Sequence, residues 1–196
     1  MKRIHLILII CGLFHFSSVQ AQNYIGDLTP LMKYGAWEVG FHGVNLVYYI
    51  PTSSQTLLEL KSGLGPGAQM RSDGVFDYSW ILPELAGFIY ATQRFYLKRG
   101  NLVRRHVNSF NNAGNYIGVR GIYSHPLINY KDFGMEPCAM FNIHYGIHRS
   151  SGNGKGAFTL HGGMGYGYSL EKKSGGTYPA VGFTMQWKLK GRLDKS

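Results

Sequence analysis

Residues 158–169 read FTLHGGMGYGYS, and large apolar side chains alternate there with glycine or polar ones. The apolar members, which share one parity, are Phe158, Leu160, Met164, Tyr166 and Tyr168. An alternation of period two is the pattern of a β-strand with one apolar face. Segments 181–190, VGFTMQWKLK, and 138–148, CAMFNIHYGIH, repeat it. The C-terminal third of the chain therefore predicts a meander of three antiparallel strands.

Turn residues separate these strands where hairpins require them. Residues 150–156, SSGNGKG, and residues 174–176, SGG, are typical hairpin connections. Upstream, similar patterns predict strands at 36–49, 56–60, 67–71, 85–97 and 115–123. The total is near eight, and the predicted fold is all-β: a single closed, antiparallel up-and-down barrel of about eight strands.

The first residues predict export. Lys2 and Arg3 precede an apolar run from Leu6 to Phe14, and Val19-Gln20-Ala21 supplies a cleavage site. The run is shorter than the ~20 apolar residues that a membrane-spanning helix needs. We therefore expect a signal peptide at 1–21, cleaved after Ala21, and a barrel domain at 22–196.

The charge of the mature chain limits its partners. Without Lys2 and Arg3, eighteen of the 20 Lys and Arg remain against 10 Asp and Glu, a formal charge of +8. In an exported protein this charge favours acidic lipid head groups, lipopolysaccharide phosphates or acidic glycans, and we expect no nucleic acid partner. Only Cys138 remains after cleavage, so no intramolecular disulfide can form.

Two kinds of barrel fit the alternation. In a membrane barrel the apolar parity faces lipid, whereas in a soluble exported barrel of the lipocalin type it faces an apolar ligand. Large aromatic residues and glycines fall on opposite faces, which favours the membrane. Met185→Arg should then cost more stability than Gln186→Arg. The residues expected to face lipid are Phe141, Ile143, Tyr145, Tyr166, Tyr168, Phe183, Met185 and Trp187.

Five short motifs resemble those of small outer-membrane β-barrel proteins of Gram-negative bacteria. They are Trp37-Glu38-Val39-Gly40, Gln93-Arg94-Phe95-Tyr96, Asn112-Ala113-Gly114-Asn115-Tyr116, Tyr145-Gly146-Ile147-His148-Arg149 and Gly163-Met164-Gly165-Tyr166-Gly167. The likeness covers most of the mature chain and carries no shared catalytic residue. It implies a transmembrane β-strand fold and a place in the outer membrane, with outer-membrane lipid, lipopolysaccharide and the barrel-assembly machinery as partners.

Polar residues on the opposite parity are expected to meet in the barrel interior as a structural plug, because side chains fill an eight-stranded barrel. The predicted cluster comprises Glu38, His42, Arg94, Arg120, His144, His148 and His161. His144 and His161 should be close, either directly opposed or one pair offset, depending on the turn at residues 152–154. Two histidines fall short of the usual three or four zinc ligands, so we expect no metal and no cofactor.

His148 and Ser150 share a strand face, and such a pair could serve a barrel lipid hydrolase or deacylase. No Asp or Glu lies between Glu136 and Glu171 to orient the imidazole, so we expect no catalytic site. A non-enzymatic structural, adhesive or surface-binding role is the main expectation. With a periplasmic C-terminus, the external loops should be 50–56, 71–83, 124–137 and 171–179, and segment 98–114 should be periplasmic.

Overall fold

Alternating apolar and polar residues form long antiparallel strands that close on themselves. The computed structural model describes residues 30–66, 68–70, 76–78, 85–97, 110–127, 136–151 and 154–189. Its strands are β1 (Tyr34–Gly40), β2 (Gly43–Pro51), β3 (Thr56–Pro66), β4 (Ala68–Met70), β5 (Phe76–Tyr78), β6 (Leu85–Leu97), β7 (Gly114–Pro126), β8 (Cys138–Ser150), β9 (Gly156–Ser169), β10 (Gly175–Pro179) and β11 (Gly182–Lys188).

Eight of these strands make a closed barrel in the order β1-β2-β3-β6-β7-β8-β9-β11, with β11 pairing back onto β1. The all-β, closed antiparallel barrel predicted from the sequence is confirmed. β10 is an additional short strand that pairs with the second half of β9, and Ala180 keeps the same register by donating to the carbonyl of Gly163. The described helical content is a single 3₁₀ turn at Phe110–Asn112.

The strands are strongly staggered. The stagger is seen by following directly paired residues around the barrel from Trp37. In one direction Trp37 pairs with Trp187 of β11, which pairs with Gly156 of β9. In the other direction the pairs run through β2, β3, β6, β7 and β8 and end at Tyr168 of β9. The two end points lie on β9 twelve residues apart, at positions 156 and 168. Such a stagger goes with strands that tilt steeply against the barrel axis and with an interior wide enough for long side chains.

The predicted strand at 36–49 is wrong, because a tight turn at Phe41–His42 divides it into β1 and β2. Gly43 makes this turn possible: its φ is 89°, and a Cβ there would overlap the carbonyl of Leu64. The predicted strand at 56–60 extends to Pro66 as β3. Most of the predicted segment 67–71 is β4, which pairs with β5 in a separate ribbon.

Because β1 and β2 replace the one strand predicted at 36–49, β2 runs in the direction opposite to the predicted one. The predicted external position of loop 50–56 is therefore also wrong. Residues 52–55 lie at the same end of the barrel as the 3₁₀ turn and the β8–β9 hairpin, which we call the plugged end. The opposite end, the loop end, carries the β1–β2 turn, residues 127 and 136–137, and residues 170–174. Most of the predicted loops 71–83, 98–114 and 124–137 lie outside the described residues.

Candidate functional site

Five charged side chains meet in the barrel interior. The ammonium group of Lys61 donates to both carboxylate oxygens of Glu38 at 2.7 and 2.8 Å and lies 3.1 Å from Glu59. Glu59 also pairs with Arg94 and lies 4.0 Å from a guanidinium nitrogen of Arg120. Since all five are nearly or fully buried, each charge is held by its neighbours rather than by water.

Aromatic rings complete the surroundings of Arg94, which is wholly buried. Its guanidinium carbon lies 4.4 Å from the ring centre of Tyr116 and 5.3 Å from that of Tyr49. A cation over an aromatic face is stabilised by the ring quadrupole, most of all where water is excluded. The charge network is therefore anchored between β6, β3 and the rings of β2 and β7.

Three histidines lie next to this network. The ring centres of His144 and His161 are 4.8 Å apart, and His42 stacks on His161 at 6.2 Å. His144 pairs with Gly163, so the register is the offset one of the two that the hairpin allowed. Gly118 leaves the room for this arrangement, because a Cβ there would overlap the imidazole of His144.

The hydrogen bonds of the two histidines fix which ring nitrogens carry protons. Arg120 can only donate, so Nε2 of His161, 3.2 Å from its guanidinium, accepts and Nδ1 carries the proton. The amide nitrogen of Asn142 donates to Tyr178, so its oxygen accepts from Nδ1 of His144. The two ring nitrogens left without a hydrogen bond, Nε2 of His144 and Nδ1 of His161, thus present one lone pair and one N–H. In these tautomers the pair offers a metal ion one ligand, and among the described residues no three His, Cys, Asp or Glu side chains are placed so that they could hold a metal ion together.

His148 lies apart from the other histidines, near the plugged end. Its Nε2 donates to the carbonyl of Asn111 at 2.8 Å, and its Nδ1 accepts from the hydroxyl of Thr159 at 2.7 Å. Both ring nitrogens are therefore engaged, and Ser150 bonds instead to Asn111 and to the hairpin backbone. The geometry does not join His148 and Ser150 as nucleophile and base.

A turn of the chain lies across the plugged end. Asn111 and Asn112 are buried, with φ values of 54° and 59°, a conformation that asparagine tolerates better than most residues. Asn111 donates to Gly154 at 2.8 Å, and Asn112 exchanges hydrogen bonds of 2.6 and 2.8 Å with the backbone of Met32. The turn ties the approach to β1 to the β8–β9 hairpin across this end.

The predicted interior residues all lie on the inner side of the barrel, with His42 reaching in from the β1–β2 turn. Glu38, Arg94 and Arg120 belong to the charge network, while His42, His144 and His161 form the adjacent cluster. Sequence reasoning missed Glu59 and Lys61, although they share one parity within β3. It also missed the buried amides Asn45, Asn111, Asn112, Asn142 and Gln186.

Gln186 corrects one expectation about substitutions. It is buried, it accepts a 2.6 Å hydrogen bond from Tyr49, and it donates to Tyr34 at 2.9 Å. An arginine there would break both bonds and would place a further positive charge in the buried interior. Gln186→Arg is therefore not the mild change that the polar parity indicated.

The outer face of the barrel is apolar nearly throughout. Among the outward-pointing residues described for the eight barrel strands, Arg149 is the only one with a permanent charge, and it lies one residue before the end of β8. Large side chains exposed by 39 to 53 % on this face include Phe141, Ile143, Tyr145, Tyr166, Tyr168, Met185 and Trp187, and Phe183 of the predicted lipid-facing set is half-exposed beside them.

Within the described residues, no helix has the length and apolar character needed to cross a membrane. Comparison of the chain with protein-family models, with curated proteins and with solved structures gives no match in any of the three.

Proposed function

We propose that this chain is an exported outer-membrane β-barrel with a non-enzymatic structural or surface-binding role. The observation that carries the proposal is the distribution of polarity: charged and amide side chains lie inside the barrel, and large apolar ones are exposed outside. Monomeric soluble proteins rarely expose a continuous apolar surface of this kind, whereas a membrane barrel requires it.

The strand lengths support the same conclusion. β6, β7 and β8 have 13 residues each. At ~3.3 Å per residue and a tilt of about 45°, such strands rise roughly 30 Å along the barrel axis. This matches an apolar band of about 25 Å with a margin at either end.

The two rival functions receive less support. A soluble barrel for an apolar ligand needs an apolar interior, but the middle of this one holds two carboxylates and three cations. A lipid hydrolase needs a free base beside its nucleophile, but the ring nitrogens of His148 are both bonded elsewhere.

Fractionation tests the proposal directly. The full-length gene is expressed in a Gram-negative host, and we expect the protein in the detergent-extractable outer-membrane fraction, with its unboiled form migrating differently from its boiled form on a denaturing gel. Recovery of the folded protein in free periplasmic or secreted fluid would support the soluble barrel instead.

Export is tested by the intact mass of the same preparation. We expect a mature chain that begins at Gln22, because Val19 and Ala21 supply the small residues of the cleavage site. A chain that retains Met1 would contradict cleavage. We further propose outer-membrane lipid, lipopolysaccharide and the barrel-assembly machinery as partners.

A further inference from the structure

The barrel wall is lowest at the β1–β2 hairpin. β1 and β2 have seven and nine residues, whereas β6, β7 and β8 have 13 each and β9 has 14. At the plugged end the strands finish level, because every neighbouring pair continues to within two residues of both strand ends. The missing length is therefore at the loop end, above the turn at Phe41–His42.

One edge of the wall is open above this turn. Gly40, the last residue of β1, pairs with Thr184, but the strand beside β9 continues toward the loop end as far as Gly175. Among the described strands, β10 pairs with β9 alone and lies at the end of the sheet. β5 approaches β10 but, within the same described part of the chain, pairs with β4. We call the side of residues 175–181 that is turned away from β9 the open edge.

The open edge presents backbone groups for hydrogen bonding. Ala180 donates to Gly163 of β9, so the alternation of the ladder turns the backbone groups of Thr177, Pro179 and Val181 to the open side. Hydrocarbon cannot satisfy N–H and C=O groups, and open sheet edges do not occur in that part of a bilayer. Pro179 brings one donor fewer, as is usual on an edge strand. The open edge therefore belongs with headgroups and water rather than with acyl chains.

The apolar outer face nevertheless reaches the turn itself. Val44 and Leu64 pair across β2 and β3 directly beside the turn, and both are about half exposed. At ~3.3 Å per residue and a tilt of about 45°, β1 and β2 rise roughly 15–20 Å, against roughly 30 Å for β6, β7 and β8. The apolar span is thus about 10 Å shorter on this side of the barrel.

From these observations we infer that the barrel holds the bilayer thinner along β1 and β2, with the lipid headgroups of the loop-end leaflet at the β1–β2 turn. The inference rests on the proposed membrane location and adds to it a lipid contact of unequal height. A bilayer adapts to a short apolar span by thinning, at a modest cost per Å. A tilt of the whole barrel would not remove the difference, because it would displace the level strand ends at the plugged end instead.

Tryptophan quenching by brominated lipids measures the depth of the two sides. The mature chain, with Trp37, Trp80 and Trp187 replaced by Phe, is refolded into phosphatidylcholine vesicles. One tryptophan is then introduced by Val44→Trp or by Ile143→Trp. Both positions point outward and lie seven residues before the plugged end of their strands, so a flat bilayer would hold them at equal depth. We expect Val44→Trp to be quenched most by bromines near the headgroup and Ile143→Trp most by bromines near the chain end.

Two controls accompany this pair. Trp37, kept as the only tryptophan, lies near the plugged end of β1 and should stay shallow, whereas a tilt that raised Val44 toward the headgroups would carry Trp37 toward the chain ends. In vesicles of shorter-chain phosphatidylcholine the bilayer is thin on all sides, so the difference in depth between Val44→Trp and Ile143→Trp should shrink. A difference in mobility between unboiled and boiled samples shows that each variant has folded.

The outcomes distinguish the two proposals. Equal depth at both positions, or a deep Trp37 together with a shallow Val44→Trp, overturns the thinning while leaving the membrane location intact. Quenching of Ile143→Trp with none of Val44→Trp shows that protein rather than lipid covers the turn, and this result also overturns the inference. If neither position is quenched by either lipid, the barrel does not insert, and the proposed function fails as well.

Discussion

Lys61 is the residue on which the interior charge network depends, because its ammonium group joins two carboxylates that would otherwise repel each other. It contacts Glu38 through both carboxylate oxygens and Glu59 through one. Arg94 and Arg120 hold Glu59 from the other side, whereas the described contacts of the Glu38 carboxylate are with Lys61. Loss of Lys61 therefore leaves Glu38 as a buried charge without a partner.

We expect Lys61→Met to lower the free energy of unfolding by about 3–5 kcal/mol, the usual cost of breaking a buried ion pair by removing one partner. The double variant Glu38→Gln with Lys61→Met removes both charges and should recover most of this loss. Urea unfolding of the barrel refolded in vesicles measures both values. If the double variant is as unstable as Lys61→Met alone, packing rather than the unpaired charge determines the cost.

The stability of the loop end depends on pH through the carboxyl group of Glu136. Burial raises the pKa of this carboxyl, but hydrogen bonds from Lys172 and Ser169 outweigh burial, and its pKa lies below the usual value. The Lys172 ammonium nitrogen is 2.5 Å from Oε1, and the backbone of Lys172 donates to Ser169 at 3.0 Å. A carboxyl with a depressed pKa contributes stability above its unfolded pKa and loses it as the pH falls through the folded one.

Acidification from pH 5 downward should therefore loosen residues 169–172 before the barrel itself unfolds, since an unperturbed Glu titrates near 4.3. Hydrogen exchange of the backbone amides of Lys172 and its neighbours measures this local opening. In the Glu136→Gln variant these amides should exchange faster already at neutral pH, and acidification should reduce their protection little further. If the protection of residues 169–172 in the unsubstituted protein stays constant as the pH falls from 5, the role given to Glu136 is contradicted.

The strands differ in how far the sequence could predict them. The patterns at 85–97, 115–123, 138–148 and 158–169 lie within three residues of β6, β7, β8 and β9 at each end. Each is a long alternating run, so the period alone identifies it. The hairpin of β1 and β2 was missed although the sequence marks it: the outward apolar residues are odd-numbered before Phe41–His42 and even-numbered after it, and glycines flank the turn.

The interior was predictable by parity but not by contact. The inward position of a residue such as His144 follows from its place in an alternating strand. The partners of Glu38 and Arg94 cannot be predicted in this way, because they lie on other strands. The stagger that brings those strands together is a property of the whole barrel. The plug formed by Asn111 and Asn112 had a local signal, a pair of asparagines beside Gly114, but its binding to Met32 joins residues 80 positions apart.

At the level of the element, β8 allows the depth of the apolar face to be tested. Ile143 lies at the middle of the strand on the outer face, and Ile147 lies on the same face next to the natural cation Arg149. We expect Ile143→Arg to cost about 2–4 kcal/mol of stability in vesicles and Ile147→Arg about 0–1 kcal/mol, because the penalty for a charge falls from the midplane to the interface.

The same two variants can be measured in a detergent-free buffer if the barrel proves to be soluble. There an arginine on either outer position would cost little, and the two variants would have the same stability within error. Such a result would argue against lipid around β8.

The molecule as a whole combines a buried, charged interior with a turn bound across one end. The charge network and the histidine cluster occupy the middle, and the turn at Asn111 and Asn112 is hydrogen-bonded across the plugged end. We therefore expect the mature protein to show no stable conductance in planar bilayers. A 16-stranded porin, which leaves an aqueous channel, serves as the positive control under the same salt. Openings of constant amplitude would show that the side chains leave a continuous path for ions.

The pairing of Trp37 with Trp187 also determines the order in which the molecule can assemble. Every other neighbouring pair in the barrel joins strands that are close in sequence, but this contact brings together the first and last strands. Until β11 is in place, β1 and β9 each keep a free edge, and unpaired edges are open to wrong partners. The final contact has the highest loop-closure entropy of the fold, so closing the ring should be the slow step of folding. A factor that shields the two edges while the chain waits for its last strand would speed assembly without touching the interior or the loops.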